Sequence, residues 1–292
     1  MEAPAFAKLN LALEVLGRRD DGYHEVRSVL QTIDLADRLE IAQSSSLSVE
    51  CDDASLNGQA NLVWQAAAAL AKRGKTEPRA HIYIQKRIPV AMGLGGGSSD
   101  AASALVALNR LWGLDLTIEE LAQVAGPLGS DVAFFLSGGT ALATGRGERV
   151  TPLPPLPPMA VILVCPKSTV PDKTAGAYSS LTPAHYSDGG ITHRMTEILL
   201  SGHFVRESVA GLLYNVFDQV SLQVFPDLGQ IRQRLDEFAP GRFHLCGAGP
   251  GLFGLASNEP DYQWVANALQ PYGAVVYRVA TAAPEPFTGT GI

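Results

Sequence analysis

Leu9, Leu11, Leu13 and Val15 alternate with Lys8, Asn10, Ala12 and Glu14. Period-two alternation predicts a strand, and it puts Lys8 and Asn10 on the same face. Ile82 and Ile84 alternate with His81, Tyr83 and Gln85 in a second strand that stops before Pro89. Helical spacing takes over at Thr117-Ile-Glu-Glu120, which has the form of a capping box, and Gly126-Pro127 closes that short helix. Further on, 160–164 reads as a buried strand and Leu228, Ile231 and Leu235 share a helix face. Strands at 243–246 and 252–255 flank a glycine loop, a helix follows near 261–269, and 274–279 closes the set. Strands and helices mix without regular βαβ alternation, so the fold class is α+β.

The segment Thr151-Pro-Leu-Pro-Pro-Leu-Pro-Pro158 interrupts this pattern. Five prolines cannot sit inside a helix or a central strand, so the segment is read as a linker. It divides the 292 residues into an N-terminal domain, 1–153, and a C-terminal one, 159–292. The net charge is −7, and neither half is basic. This argues against a nucleic-acid partner and means that a bound anion must be held by local devices: backbone amides, a helix terminus or a metal. Three widely spaced cysteines without a Cys-x-x-Cys pair read as reduced thiols. The longest apolar runs, near 66–71 and 159–165, fall short of the roughly 18 residues of a membrane span. Lys8, Asn10 and Glu14 break any signal-peptide core. The expectation is a cytoplasmic protein with no membrane partner, a monomer or weak homodimer.

The most informative stretch is Gly93-Leu-Gly95-Gly96-Gly97-Ser98-Ser99-Asp100. A strand leads into four glycines, and the small polar residues then open a helix whose Ala101, Leu105, Leu108 and Trp112 lie on one face. Such a loop presents free N–H groups to an anion, and Ser98 or Ser99 adds a hydroxyl for a phosphate or a magnesium ion. A plain flexible turn is the competing reading. Gly74-Lys75-Thr76 imitates the end of a P-loop, but Ala69 stands where its first glycine belongs. The dinucleotide fingerprint fails too, because Ser98 follows where a third glycine is required.

Together with Ala7-Lys-Leu-Asn-Leu11, Asp21-Gly-Tyr-His24, Asn61-Leu62, Leu128-Gly-Ser-Asp-Val-Ala-Phe-Phe135 and Gly145-x-Gly147-Glu148, the loop resembles the superfamily of small-molecule kinases that includes galactokinase, homoserine kinase, mevalonate kinase and phosphomevalonate kinase. Within it, the Lys8/Asn10 and Gly22-Tyr23-His24 segments resemble the branch of 4-diphosphocytidyl-2-C-methyl-D-erythritol kinases. The C-terminal glycine motif, 245–253, departs from that pattern at Cys246 and Ala248, where small hydroxyl residues are usual.

The resemblance implies a two-domain kinase with its cleft between the domains, ATP and Mg2+ as co-substrate and cofactor, and a small-molecule cytidine diphosphate alcohol as acceptor. It makes Asp131 the acceptor of the substrate hydroxyl proton, with Lys8 beside it. On spacing alone Asp131 reads as a helix N-cap; a solvated charge on an edge strand is the competing reading for Lys8, whose place among apolar residues with Asn10 two positions on favours a site residue. The resemblance further implies that Asn61, Lys86 and Asn109 hold adenine and that Gly93, Leu94, Gly95, Gly96, Gly97, Ser98 and Ser99 cradle the phosphates, Ser99 also touching the metal. Asn10, Tyr23, His24, Thr174 and Tyr178 are implied to hold the acceptor, with cytosine between Tyr23 and Tyr178 and its polar edge on His24. Two alternatives stay open from the sequence: a superfamily kinase for a smaller alcohol, and a nucleotide-binding regulator that has lost catalysis.

Overall fold

A computed structural model describes residues 1–167, 173–202, 205–256 and 259–283. The last residues of the expected C-terminal domain, 284–292, lie outside this set. In chain order the elements are β1 (Glu2–Arg18), β2 (His24–Gln43), β3 (Ser48–Cys51), α1 (Leu62–Gly74), β4 (Ala80–Gln85), α2 (Gly96–Leu111), α3 (Ile118–Ala125) and α4 (Val132–Ser137). Next come β5 (Thr140–Gly145), β6 (Arg149–Leu153), β7 (Ala160–Cys165), α5 (Lys173–Ser179), α6 (Gly190–Ser201), α7 (Arg206–Ala210) and β8 (Tyr214–Asn215). The chain ends with α8 (Ser221–Val224), α9 (Leu228–Phe238), β9 (His244–Leu245), β10 (Leu252–Leu255), α10 (Glu259–Leu269) and β11 (Val275–Ala280).

The predicted strand at 9–15 is the middle of a 17-residue strand, β1, paired along its length with the 20-residue β2. Gly22, at φ 86°, supplies the left-handed residue of the turn between them. Register shifts fall between Phe6 and Lys8 and between Asn10 and Ala12, so two bulges bracket the Lys8–Asn10 piece and bend the long ribbon there. The larger sheet runs β3-β4-β2-β1-β8, with β5 pairing β2 and β6 outside β5; the smaller runs β11-β7-β10-β9.

Local signals behave as read at several places. Thr117 and Glu120 form the reciprocal capping box of α3. Lys75 of the false P-loop is the left-handed C-cap of α1, at φ 52°. Leu228, Ile231 and Leu235 are the buried residues of α9. The proline segment begins differently from expectation, since Arg149–Leu153 is a strand and Pro152 pairs with Ala141. β6 pairs with β5 alone, and an edge strand accepts a proline that a central strand would reject.

The two sequence-defined halves do not separate into independent cores. Leu9, Leu11 and Ile33 pack in one buried cluster with Val161, Leu163, Cys246, Phe253 and Val279. β8, from the C-terminal half, adds to the N-terminal sheet as a parallel partner of β1 through Ala12–Tyr214 and Leu13–Asn215. β1 is therefore an interior strand, and Lys8 on it is 4% exposed rather than a solvated edge charge.

Candidate active site

Between these layers lies a cleft of ≈ 1560 Å³, walled by β1, the 91–98 loop, Ser130-Asp131, Arg146-Gly147, the start of α5 and the 247–249 loop. Lys8, Asn10, Tyr23, His24, Gly93, Gly95, Ser98, Asp131, Thr174 and Tyr178 all line it, so it gathers ten of the sequence-predicted residues from five segments of the chain.

Lys8 is the centre of the polar arrangement. Its Nζ donates to Asn10 Oδ1 at 2.8 Å and stands 3.3 Å from Asp131 Oδ2. Asn10 Nδ2 donates to Ser28 Oγ at 2.9 Å, and Ser28 Oγ donates to the carbonyl of Ala12 at 2.8 Å. This buried chain fixes which way the Asn10 amide points, and so fixes the ammonium. Asp131 occupies the N-cap position of α4, yet its side chain makes no capping bond. Its carboxylate instead faces Lys8, half open to the cleft, and a carboxylate there can accept a proton from a bound hydroxyl.

The glycine loop is the second wall. Gly95, at φ 74°, is the left-handed N-cap of α2, so the helix starts at Gly96, before the serines that were expected to cap it. That places Ser98 and Ser99 inside the first turns. Ser99 is 1% exposed and does not reach the cleft, whereas Ser98 lines it. Of the two serine hydroxyls read as candidates for a phosphate or a magnesium ion, only that of Ser98 is at the cleft. A Cβ on Gly97 would meet nothing within 4 Å, which leaves its backbone open to an approaching anion. Gly93 is different: a Cβ there would lie 1.7 Å from the Cys246 carbonyl, and one on Gly249 would lie 2.4 Å from the Gly93 nitrogen. These glycines serve close packing of the two glycine loops on each other.

Three residues expected around adenine are committed elsewhere. Asn61 caps α1, accepting from Val63 N at 2.8 Å and donating to the Leu56 carbonyl at 2.8 Å. Asn109 is buried, neither in the cleft nor on the surface, and its amide pairs with both backbone groups of Leu116 at 3.0 and 3.1 Å. Lys86 Nζ lies between the buried Asp37 and Asp100, 2.7 Å from the latter. Burial pushes Asp100 up to about 7, with the Lys86 ammonium opposing and the Asp37 charge adding to the rise.

At the other end of the cleft, His24 stacks on Tyr178 with centroids 5.1 Å apart and planes at 29°, and Tyr186 meets His24 edge-on at 6.0 Å. One face of Tyr178 is thus taken by His24. Tyr23 stands apart, 56% exposed, with the Arg146 guanidinium 4.7 Å from its ring centroid. The expected sandwich of a base between Tyr23 and Tyr178 is not preformed, because His24 fills the space against Tyr178. Burial, helped by Arg18, lowers His24 below the ordinary 6.5, so the ring is neutral at pH 7 and offers one donor and one acceptor.

Sequence reading missed Ser28, Arg146, Lys173 and Asn215. Asn215 Nδ2 donates to the carbonyls of Leu245 and Gly247, each at 2.8 Å, and so hangs the C-terminal glycine loop from β8 beside β1. No local pattern marks any of the four: Ser28, Arg146 and Asn215 are defined by partners elsewhere in the chain, and Lys173 by the burial of its amine.

A magnesium ion bound through nucleotide phosphates needs few protein oxygens. Ser98 and Asp131 both line the cleft and are of the right kind, although no cluster of three acidic, histidine or cysteine side chains occurs among the described residues. No described helix is long and apolar enough to cross a membrane.

Residues 61–139 match the family model of the GHMP kinases N terminal domain. A 4-diphosphocytidyl-2-C-methyl-D-erythritol kinase of Dehalococcoides mccartyi is 38% identical over 279 residues, covering 95% of this chain and 97% of the relative. One of Bacillus pumilus is 40% identical over 276 residues, covering 94% of each. A crystal structure of 4-(cytidine 5'-diphospho)-2C-methyl-D-erythritol kinase superposes with a TM-score of 0.78 at 33% identity, over 97% of this chain and 100% of that one. Homoserine kinase from Cytophaga hutchinsonii shares the fold, with a TM-score of 0.73 at 18% identity over 98% of this chain and 96% of the other.

Proposed function

Because the chain belongs to the family of 4-diphosphocytidyl-2-C-methyl-D-erythritol kinases, within the GHMP kinases, we propose that its cleft transfers the γ-phosphoryl group of ATP to the 2-hydroxyl of 4-diphosphocytidyl-2-C-methyl-D-erythritol, a step in isoprenoid precursor synthesis. The observation that carries this reading is the pairing of Lys8 with Asp131 at 3.3 Å in the cleft that the glycine loop also lines.

Phosphoryl transfer asks a protein for position and charge neutralisation more than for covalent chemistry. Asp131 Oδ2 receives the proton of the attacking hydroxyl, or aims that hydroxyl without taking its proton. Lys8, held by Asn10, keeps the carboxylate in place and neutralises charge that develops on the transferred group. The amides around Gly95–Gly97 hold the phosphates of ATP at the positive end of α2. Magnesium, held by the nucleotide phosphates with Ser98 and Asp131, would neutralise their charge. The acceptor's cytosine sits at the His24 end, with Tyr23, Thr174 and Tyr178 around it, so that the erythritol chain reaches Asp131.

Both charged residues of the centre are present and paired, which disfavours the reading as a regulator without catalysis. The test is turnover with ATP and the cytidyl substrate, beside the same alcohol without its cytidyl group. Turnover that requires the cytidyl group supports this function; equal turnover of both alcohols would move the assignment to a kinase of smaller substrates.

A further inference from the structure

Lys173, at the start of α5, lines the cleft, and its Nζ is a fully buried nitrogen with no hydrogen-bond partner. An ammonium taken out of water and left without a counter-charge is costly, and a fold keeps one where a ligand completes it. The burial shows in the amine itself, which desolvation lowers to about 8, a value that leaves it mostly protonated at pH 7. Lys8 and Lys86, by contrast, both have carboxylate partners. Lys173 thus stands in the cleft as a buried cation without a partner among the described residues.

Its position selects the ligand. α5 also carries Thr174 and Tyr178, and Tyr178 stacks on His24 at the cytidine end. The phosphates of ATP are addressed by the opposite wall, where α2 begins at Gly96. An acceptor with its base near His24 and its hydroxyl at Asp131 must lay whatever joins them between these two points. We propose that Lys173 binds the diphosphate of the cytidyl substrate, a proposal that rests on reading this cleft as the cytidyl-substrate site. One ammonium can bridge oxygens of both phosphates, and the charge-assisted bonds then satisfy the donors of the Lys173 amine. Arg18 and Arg146, also in the lining, add positive potential at the same end.

The test is isothermal titration of wild type, Lys173→Met and Lys173→Arg with CDP, with cytidine and with a non-hydrolysable ATP analogue, together with steady-state kinetics. Lys173→Met is expected to weaken CDP by about ten- to a hundredfold, with cytidine and the ATP analogue within about threefold of wild type. KM for the cytidyl substrate rises by a similar factor while kcat stays within about threefold, and Lys173→Arg recovers most of the loss. Unchanged CDP affinity overturns the proposal, as does an equal loss for cytidine, which would make Lys173 a wall of the base pocket. A loss on the ATP analogue instead of CDP would assign the amine to ATP's phosphates and likewise overturn it. A wild type that binds CDP no better than cytidine also overturns it. A wild type that prefers CDP but does not turn over the cytidyl substrate overturns only the functional reading.

Discussion

The backbone N–H of Lys8 donates to the carbonyl of Leu94 at 3.0 Å, so the strand that carries the charged centre is hydrogen-bonded directly to the glycine loop. Gly95, next to Leu94, sits close enough that a Cβ on it would come 3.2 Å from Lys8 Cγ. The strand that carries Lys8 and the glycine loop are therefore held in one frame by backbone contacts.

The centre is expected to act as a unit. Asp131→Asn keeps the shape and removes the proton acceptor, and kcat should fall by about 10² to 10⁴ with the cytidyl-substrate affinity nearly intact. Lys8→Ala should cost a similar factor, and the double variant little more than either alone. Steady-state kinetics on the three variants checks this; a kcat for Asp131→Asn within about threefold of wild type would remove Asp131 from the chemistry.

The loop separates binding from folding at adjacent positions. Gly97 has open space around it and ordinary helical backbone, so Gly97→Ala should keep or raise the melting temperature, by the order of 0.5–1 kcal/mol in helix propensity, while raising KM for ATP. Gly95→Val should lower both stability and activity, since its φ is 74° and its Cβ would meet Phe135 at 2.7 Å. Melting curves beside ATP titrations distinguish the two. An unchanged ATP affinity in Gly97→Ala would place the phosphates elsewhere.

Base recognition should depend on pH in one direction. The folded protein holds His24 below 6.5, so the neutral ring persists from alkaline pH down past 6.5 and protonates only below the lowered value. KM for the cytidyl substrate should rise as pH falls through that lowered value, and His24→Gln should flatten that acid-side rise. Tyr23→Ala should weaken binding by about ten- to a hundredfold and Tyr23→Phe much less, since stacking on a ring is worth roughly 1–3 kcal/mol. Titration with CDP reads all three variants.

Asp100 is expected to limit stability at alkaline pH. Its carboxyl is raised from 3.8 in the unfolded chain to about 7 in the folded one, so the folded state binds the extra proton between these values. Its stabilising contribution is complete below 3.8 and is lost as pH rises through about 7. Asp100→Asn should therefore raise the melting temperature at pH 8 relative to wild type and leave a smaller difference at pH 5, with Lys86 still paired to Asp37. A thermal shift of equal size at both pH values would show that the carboxyl does not titrate in this way.

Alternation on one strand is a local signal, and it correctly brought Lys8 and Asn10 to one side of β1. The depth of Lys8 was not legible, because the glycine loops that lie against it, one of them bonded through the Leu94 carbonyl, come from distant parts of the chain. Asp131 has the local spacing of a cap; only the approach of Lys8, from a segment more distant in sequence, turns its carboxylate to other use. Asn109 and Asn61 show a different limit. Each amide is bonded to nearby backbone groups that a spacing argument does not count. A left-handed glycine begins the helix earlier than a serine cap would have, and of Ser98 and Ser99 only Ser98 lines the cleft. The order of rings at the cytidine end, with His24 against Tyr178, follows from packing among three segments and has no sequence signature.

The tight fit of Gly93 against Cys246 and Gly249, with Gly251 beside Met92, also bears on how such a chain can change over generations. A methyl group on any of these glycines meets backbone, which cannot swing aside as a side chain can. Two loops separated by most of the chain are therefore inherited as one character: a substitution in either is rejected by the other, whatever nucleotide is bound. Part of the glycine content that reads as a phosphate signature is thus a record of how the two halves of the molecule are joined.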